Sequence, residues 1–326
     1  MRCFLLFICL AAGAVHAAPR VVATIAPLHS IVADVMQGVA KPDVLLRPGL
    51  SPHGYAMRPS ELRLLYNADL VVWVGPELET FLMTSLESLP NEVKVLRLSD
   101  KDNIHTLPYR LETSSGDGDS HDMADDDAHD AHGGHDHGSE SSDKPGVSSN
   151  IDPHIWLSPT NAIAIAEAVA GKLVAIDPDN ADRYRHNLLL IKDRYRELEI
   201  QLRSQLAPHA AVTFMVFHDA YQYFERAMNL TGNVGALHDI IGITPGARRL
   251  QALRRTVRSK NVRCIFAEPQ FPSNLMKTVA EGSDARIALV DPLGASTASG
   301  VGSYPVMMRI FSDDFSDCLA GENASE

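Results

Sequence analysis

The sequence predicts an α/β protein of two similar lobes, each a parallel sheet flanked by helices, joined by one long rigid helix. Three observations predict it. Short apolar runs alternate with amphipathic helical patterns in both halves of the chain. One of these runs, 70–75, is apolar on both faces, as a strand inside a parallel sheet must be. An unbroken helical pattern over 179–206 then divides the alternation in two.

Residues 1–17 read as a secretory signal peptide. Arg2 supplies the basic start, 4–12 the apolar stretch, and Val15-His16-Ala17 the small-residue cleavage site. The apolar stretch is too short to span a bilayer. Cys9 follows the bulky Phe7-Ile8 and is a poor lipidation site, so the exported chain is expected to carry no direct membrane anchor. The remaining chain, about 310 residues, is long for one core and suits two lobes. Residues 18–178 form the N-terminal lobe, with strands expected at 21–25, 43–47, 70–75 and 94–98 and helices at 59–67 and 77–89. The connecting helix occupies 179–207: Asp177-Pro178-Asp179-Asn180 starts it, Pro208 stops it, and Tyr184, Leu188, Ile191, Tyr195, Leu198, Leu202 and Leu206 recur at intervals of three and four. Residues 208–326 form the C-terminal lobe, with strands at 211–217, 262–267 and 286–291 and helices at 219–228, 245–259 and 273–281.

One segment departs from this alternation. Residues 114–148 hold ten acids against the single Lys144 and no aromatic residue, a composition that cannot bury enough apolar area to offset its ordering entropy. Within it lie His121, His129, His132, His135 and His137. A solvated acidic linker needs no histidine, whereas imidazole mixed with carboxylate makes a loose site for borderline cations such as Zn²⁺. The tract also carries most of the formal charge of −12. Outside it the chain is near electrical balance, which argues against nucleic acid or an anionic membrane surface as partner.

Two cysteines remain after the signal peptide, Cys264 and Cys318. In an exported protein the simplest outcome is one disulfide, and the alternative is two buried thiols. Neither has a second cysteine or histidine at the spacing a zinc site needs.

Three histidines stand where predicted strands meet loops. His53 follows the 43–47 strand through Pro48-Gly49-Leu50-Ser51-Pro52, His154 lies just after the tract, and His218 ends the 211–217 run. Ligands of open α/β sheets bind outside the carboxyl ends of strands, and three imidazoles meeting there would suit Zn²⁺. Any one of them alone would more often cap a turn or satisfy a core hydrogen bond. His29, after the first strand, is the other histidine pointed toward the same sheet edge, as a neighbour of the site and not a ligand.

These residues sit in recognisable motifs: Pro52-His53-Gly54-Tyr55-Ala56-Met57-Arg58-Pro59-Ser60, Ala68-Asp69-Leu70-Val71-Val72-Trp73-Val74-Gly75-Pro76-Glu77-Leu78-Glu79, Asp152-Pro153-His154-Ile155-Trp156-Leu157-Ser158-Pro159, Phe217-His218-Asp219-Ala220-Tyr221, Ala267-Glu268-Pro269-Gln270-Phe271 and Asp291-Pro292-Leu293-Gly294. Together they resemble the zinc-specific periplasmic binding proteins of ABC transporters, the ZnuA type among the metal-binding solute receptors. The resemblance runs over nearly all of the exported chain. It implies that His53 and His154 bind zinc from the N-terminal lobe and His218 from the C-terminal lobe. A histidine at the third position implies zinc, where manganese and iron relatives use a carboxylate. The histidine-rich insertion and a cysteine pair in the C-terminal lobe are also typical. The fourth ligand stays open between water and Asp291, since Pro52 occupies a place where some members carry Glu. The implied function is capture of Zn²⁺ in an interlobe cleft by a periplasmic monomer of a Gram-negative cell. Delivery is then to the membrane permease of an ABC transporter. The tract would gather or sense zinc.

Three rivals are weighed against this. A zinc hydrolase would share the three-histidine set, but the chain has no His-Glu-x-x-His helix, and Pro52 after Ser51 offers no N–H for an oxyanion hole. A manganese or iron receptor is disfavoured by His218 and the tract. A surface adhesin on the same fold is disfavoured by the poor lipidation site.

Overall fold

Two four-stranded parallel sheets organise the computed structural model, which describes residues 17–110, 150–238, 246–271 and 274–321. Residues 1–16 of the expected signal peptide and the five tract histidines lie outside the described residues. In chain order the N-terminal elements are β1 (Val21–Ala23), α1 (Ala26–Val35), β2 (Asp43–Val44), α2 (Pro59–Tyr66), β3 (Leu70–Trp73), α3 (Met83–Glu87), β4 (Lys94–Arg97), β5 (Leu107–Pro108), β6 (Ile151–Asp152) and α4 (Pro159–Ile176). After the long α5 (Ala181–Leu206) come β7 (Phe214–His218), α6 (Gln222–Met228), β8 (Asn233–His238), α7 (Ala247–Ser259), β9 (Cys264–Ala267), α8 (Asn274–Ala280), β10 (Arg286–Leu289) and α9 (Ser303–Ala320).

The first sheet runs β2-β1-β3-β4 and the second β10-β9-β7-β8. Counted within its own lobe, each places its first strand between the second and the third, so the lobes share one topology. Every pairing within the two sheets is parallel. All four residues of β3 are buried, which is why its run is apolar without alternation.

The long helix forms as its periodicity predicts. Tyr184, Ile191, Tyr195, Leu198, Leu202 and Leu206 are buried along one stripe, and Leu188 is half-buried at its edge. At 1.5 Å per residue, 26 residues reach about 39 Å. The stripe packs against α4 and α1 on one side and α6 and α9 on the other, so it spans both lobes. Tyr195 fixes it to α1 by donating its hydroxyl to Asp34 Oδ2 at 2.8 Å.

Elsewhere the structure corrects the sequence reading. The 43–47 run pairs as a strand only at Asp43–Val44, although Leu45 and Leu46 still donate their N–H groups to Ala23 and Thr24. The 77–89 segment is not one helix: Glu79 turns inward to accept from Val74 and Gly75 N–H, and helix resumes only as a 3₁₀ turn at Thr80–Leu82 followed by α3. The helix expected from 219 begins at Gln222, because Asp219 is held outward by Arg110. In the C-terminal lobe two elements were missed. In β8 the Asn-Val-Gly-Ala-Leu-His run does not alternate, and Gly235, at φ +135°, sits where the register with β7 slips. The other is α9, closed by Gly321 in the left-handed region.

Cys264 and Cys318 form a disulfide, with Cα atoms 6.1 Å apart, that ties the start of β9 to the end of α9. The two-residue pair β5–β6 is antiparallel, and Tyr109 N–H donates to Asn150 O beyond it. The described residues on either side of 111–149 are thereby paired.

Candidate metal centre

His53, His154 and His218 converge, and their nearest ring nitrogens all lie within 4.8 Å of one another. Each arrives by a different local device. His53 sits in the loop after β2, where its N–H donates to Ser51 Oγ at 3.2 Å and Gly54, at φ +74°, reverses the chain toward α2. His154 follows β6, and both its N–H and its Nδ1 engage Asp152 Oδ1, at 3.0 and 2.7 Å. His218 is the last residue of β7, at the carboxyl end of a strand beside the point where strand order reverses. Its Nδ1 lies 2.5 Å from Glu268 Oε1, a close contact out of line with a ring N–H bond, and the same oxygen accepts from Tyr221 Oη at 2.7 Å. In the N-terminal lobe the matching switch point is closed instead by Thr24, whose hydroxyl donates to the buried Glu79. Burial pushes that carboxyl up to about 7.

With Asp152 on one Nδ1 and Glu268 on the other, Nε2 of His154 and Nε2 of His218 face each other 3.3 Å apart. Two zinc–nitrogen bonds of 2.0–2.1 Å at the tetrahedral angle span about 3.3 Å. The His53 ring stands 5.6 Å from His154 and 5.8 Å from His218, centroid to centroid. Burial first, and then the two neighbouring imidazoles, hold His53 well below the usual histidine range, so its ring is neutral and its lone pair free.

Ser51, Pro52, Trp156, Glu268, Gln270 and Phe271 help line the cavity around the three rings. Trp156 closes the wall by donating Nε1–H to Pro292 O at 2.8 Å across the lobes. Asp291 points elsewhere: its carboxylate accepts from Leu293 N–H, Ala295 N–H and Gln270 Nε2, which locks the loop after β10. His29 also stands apart, its Nε2 on Pro42 O at 3.1 Å. Sequence reading left Asp152, Glu268 and Gln270 unassigned. Asp152 stands two residues before His154, which was a signal available in the sequence, whereas Glu268 follows the 262–267 strand with no candidate ligand near it in the chain.

Arg110 is the last described residue before the tract, and its guanidinium spans Asp219, next to His218, and Glu225 on α6. Arg110 is thus held to the C-terminal lobe beside the three histidines.

A family profile described as zinc-uptake complex component A, periplasmic (ZnuA), matches residues 21–318. The high-affinity zinc uptake system protein ZnuA of Brucella suis is 35% identical over 327 residues, covering 92% of this chain and 91% of that protein. The protein of the same name from Haemophilus ducreyi is 36% identical over 299 residues, covering 92% and 93%. Among solved structures, a crystal structure of ZnuA superposes with a TM-score of 0.72 at 22% identity, covering 93% of this chain and 99% of that one. Matched along almost its whole length, the chain belongs to the ZnuA family of periplasmic zinc-uptake components.

Proposed function

We propose that this protein captures Zn²⁺ through His53, His154 and His218 in the cleft between its lobes and hands it to the membrane permease of an ABC transporter. The observation that carries the reading is three imidazoles drawn from both lobes, two of them already at the Nε2 separation that tetrahedral zinc requires. Closing the His53 edge from at most 4.8 Å to the tetrahedral value needs a shift of about 1.5 Å, within the reach of the 48–54 loop. Residues 1–17 direct export and are removed. Residues 18–178 and 208–326 act as two stiff lobes on the 179–207 strut, and the protein works as a monomer. The strut resists wide hinge motion, so scattering profiles with and without zinc should give nearly the same radius of gyration. A large compaction on binding would refute the stiff-lobe account.

Zinc titration against a competing chelator tests the function, with one tight ion expected per chain and weaker binding of manganese. Removing 114–148 should leave that tight ion and abolish only weaker, additional binding by His121, His129, His132, His135 and His137. Losing the tight ion instead would move the principal site into the tract.

The backing carboxylates give a second prediction. Asp152 fixes the ring of His154 so that Nε2 faces the cation. Asp152→Asn should weaken zinc about 10–100-fold while three ligands remain. Unchanged affinity would make Asp152 a purely structural residue.

Acid should also weaken binding, because protons compete for imidazole lone pairs. His53 adds little to that loss, its own protonation being deferred to lower pH by burial. The fall in log affinity per pH unit between pH 7 and 5 should therefore correspond to fewer than three protons. In the zinc-free protein the sign is the same. Below about 6.5 the unfolded chain protonates at His53 while the folded chain resists, so stability falls as pH drops.

A further inference from the structure

We propose that Gln270 holds the fourth zinc ligand, a water molecule, by accepting its hydrogen bond at Oε1. The inference rests on the three-histidine reading above and identifies what completes the tetrahedron. The polar groups around the cavity are few, and most are committed. Ser51 Oγ accepts from His53 N–H. Glu268 Oε1 accepts from Tyr221 and abuts His218. Asp291 is engaged by three donors of its own loop and its neighbour. Pro52 has no polar side-chain atom.

Gln270 differs. Its Nε2 donates to Asp291 Oδ1 at 2.9 Å. Oδ1 is an acceptor there, already taking Leu293 N–H, so the amide cannot be reversed without setting oxygen against oxygen. Oε1 must then be the other end of the group. That atom is buried and has no donor among the described residues, although Gln270 lines the cavity with all three histidines. A buried amide oxygen without a donor is rare and costly. Water on Zn²⁺ is a polarised donor with O–H bonds to give, and a neutral amide oxygen is a suitable acceptor for one of them. Gln270 is thus a positioning residue acting through the water, and the Asp291 loop is the bracket that aims it.

The test uses the mature protein loaded with Zn²⁺ and, separately, with Co²⁺ as a visible reporter. Gln270→Leu keeps the bulk and removes the acceptor. It should weaken zinc about tenfold, shift the visible bands of the Co²⁺ form, and strengthen displacement of the fourth ligand by thiocyanate. Asp291→Ala leaves the acceptor present but frees the amide that Asp291 aims, and should change the thiocyanate response in the same direction and less than Gln270→Leu does. The proposal is overturned if Gln270→Leu matches wild type, if Asp291→Ala has the larger effect of the two, or if thiocyanate leaves the wild-type Co²⁺ spectrum untouched. Failure of the histidine reading is separate: it would appear as a tight zinc ion surviving the loss of all three rings.

Discussion

Replacing His53, His154 and His218 together by alanine should abolish the tight zinc site. The loss of affinity should be on the order of 10⁴-fold or more, given that full tetrahedral zinc sites are worth about 10–16 kcal/mol at neutral pH. The fold should survive, because the three rings line the cavity and not the sheet–helix packing inside either lobe. His53 lies on a loop, and His218 projects from the end of β7 into the cavity. Competition with a chelator of known affinity reads the result directly, and circular dichroism of the same samples checks the fold. Weak binding by the tract should persist in the triple variant, which separates the two kinds of site in one titration. A tight, stoichiometric ion that remains would show the three histidines to be structural. The single change His218→Glu probes selectivity: a carboxylate supplies harder oxygen, so preference should move from zinc toward manganese.

How much of this was legible in the sequence depends on what each element had to encode. The long helix was plain because its buried stripe repeats at intervals of three and four over seven turns, and nothing interrupts it. The β3 strand was plain because burial on both faces leaves a wholly apolar run. In contrast, β8 carries a glycine at its bulge and lacks alternation, so no period marks it. The three histidines could be chosen from fourteen because strand ends and motifs singled them out together. Their orientation could not be read, since Asp152 is a near neighbour of His154 in sequence but Glu268 reaches His218 from fifty residues away, just past the end of the adjacent strand β9. Gln270 was hidden for the same reason. Its meaning depends on which end of its amide Asp291 claims, and that is a contact between two loops.

Converting Cys264 and Cys318 to serine should lower the melting temperature of the zinc-free protein by about 10 °C while leaving zinc affinity nearly unchanged. The bond closes a separation of 54 residues, for which the chain-entropy model gives about 4 kcal/mol. It joins the start of β9 to the last turn of α9, and both cysteines are buried, so serine also places a hydroxyl among apolar neighbours. The site should be spared because β9 is held by parallel ladders to β7 and β10 along its length. Glu268 and Gln270 follow the far end of that strand, four and six residues from Cys264. Packing works in the same direction: Phe266 stacks on Phe315 with centroids 3.9 Å apart, which keeps α9 on the sheet without the crosslink. Thermal unfolding of wild type and the double variant, each with and without a reductant, decides the matter. Wild type should drop to the level of the variant when reduced, and the variant should ignore the reductant. If reduction leaves wild type unmoved, aromatic packing alone secures α9 and the disulfide adds nothing to stability. If zinc affinity falls with the melting temperature, β9 depends on the crosslink to present Glu268 to His218, and the site is less independent of the C-terminal helix than its ladders indicate.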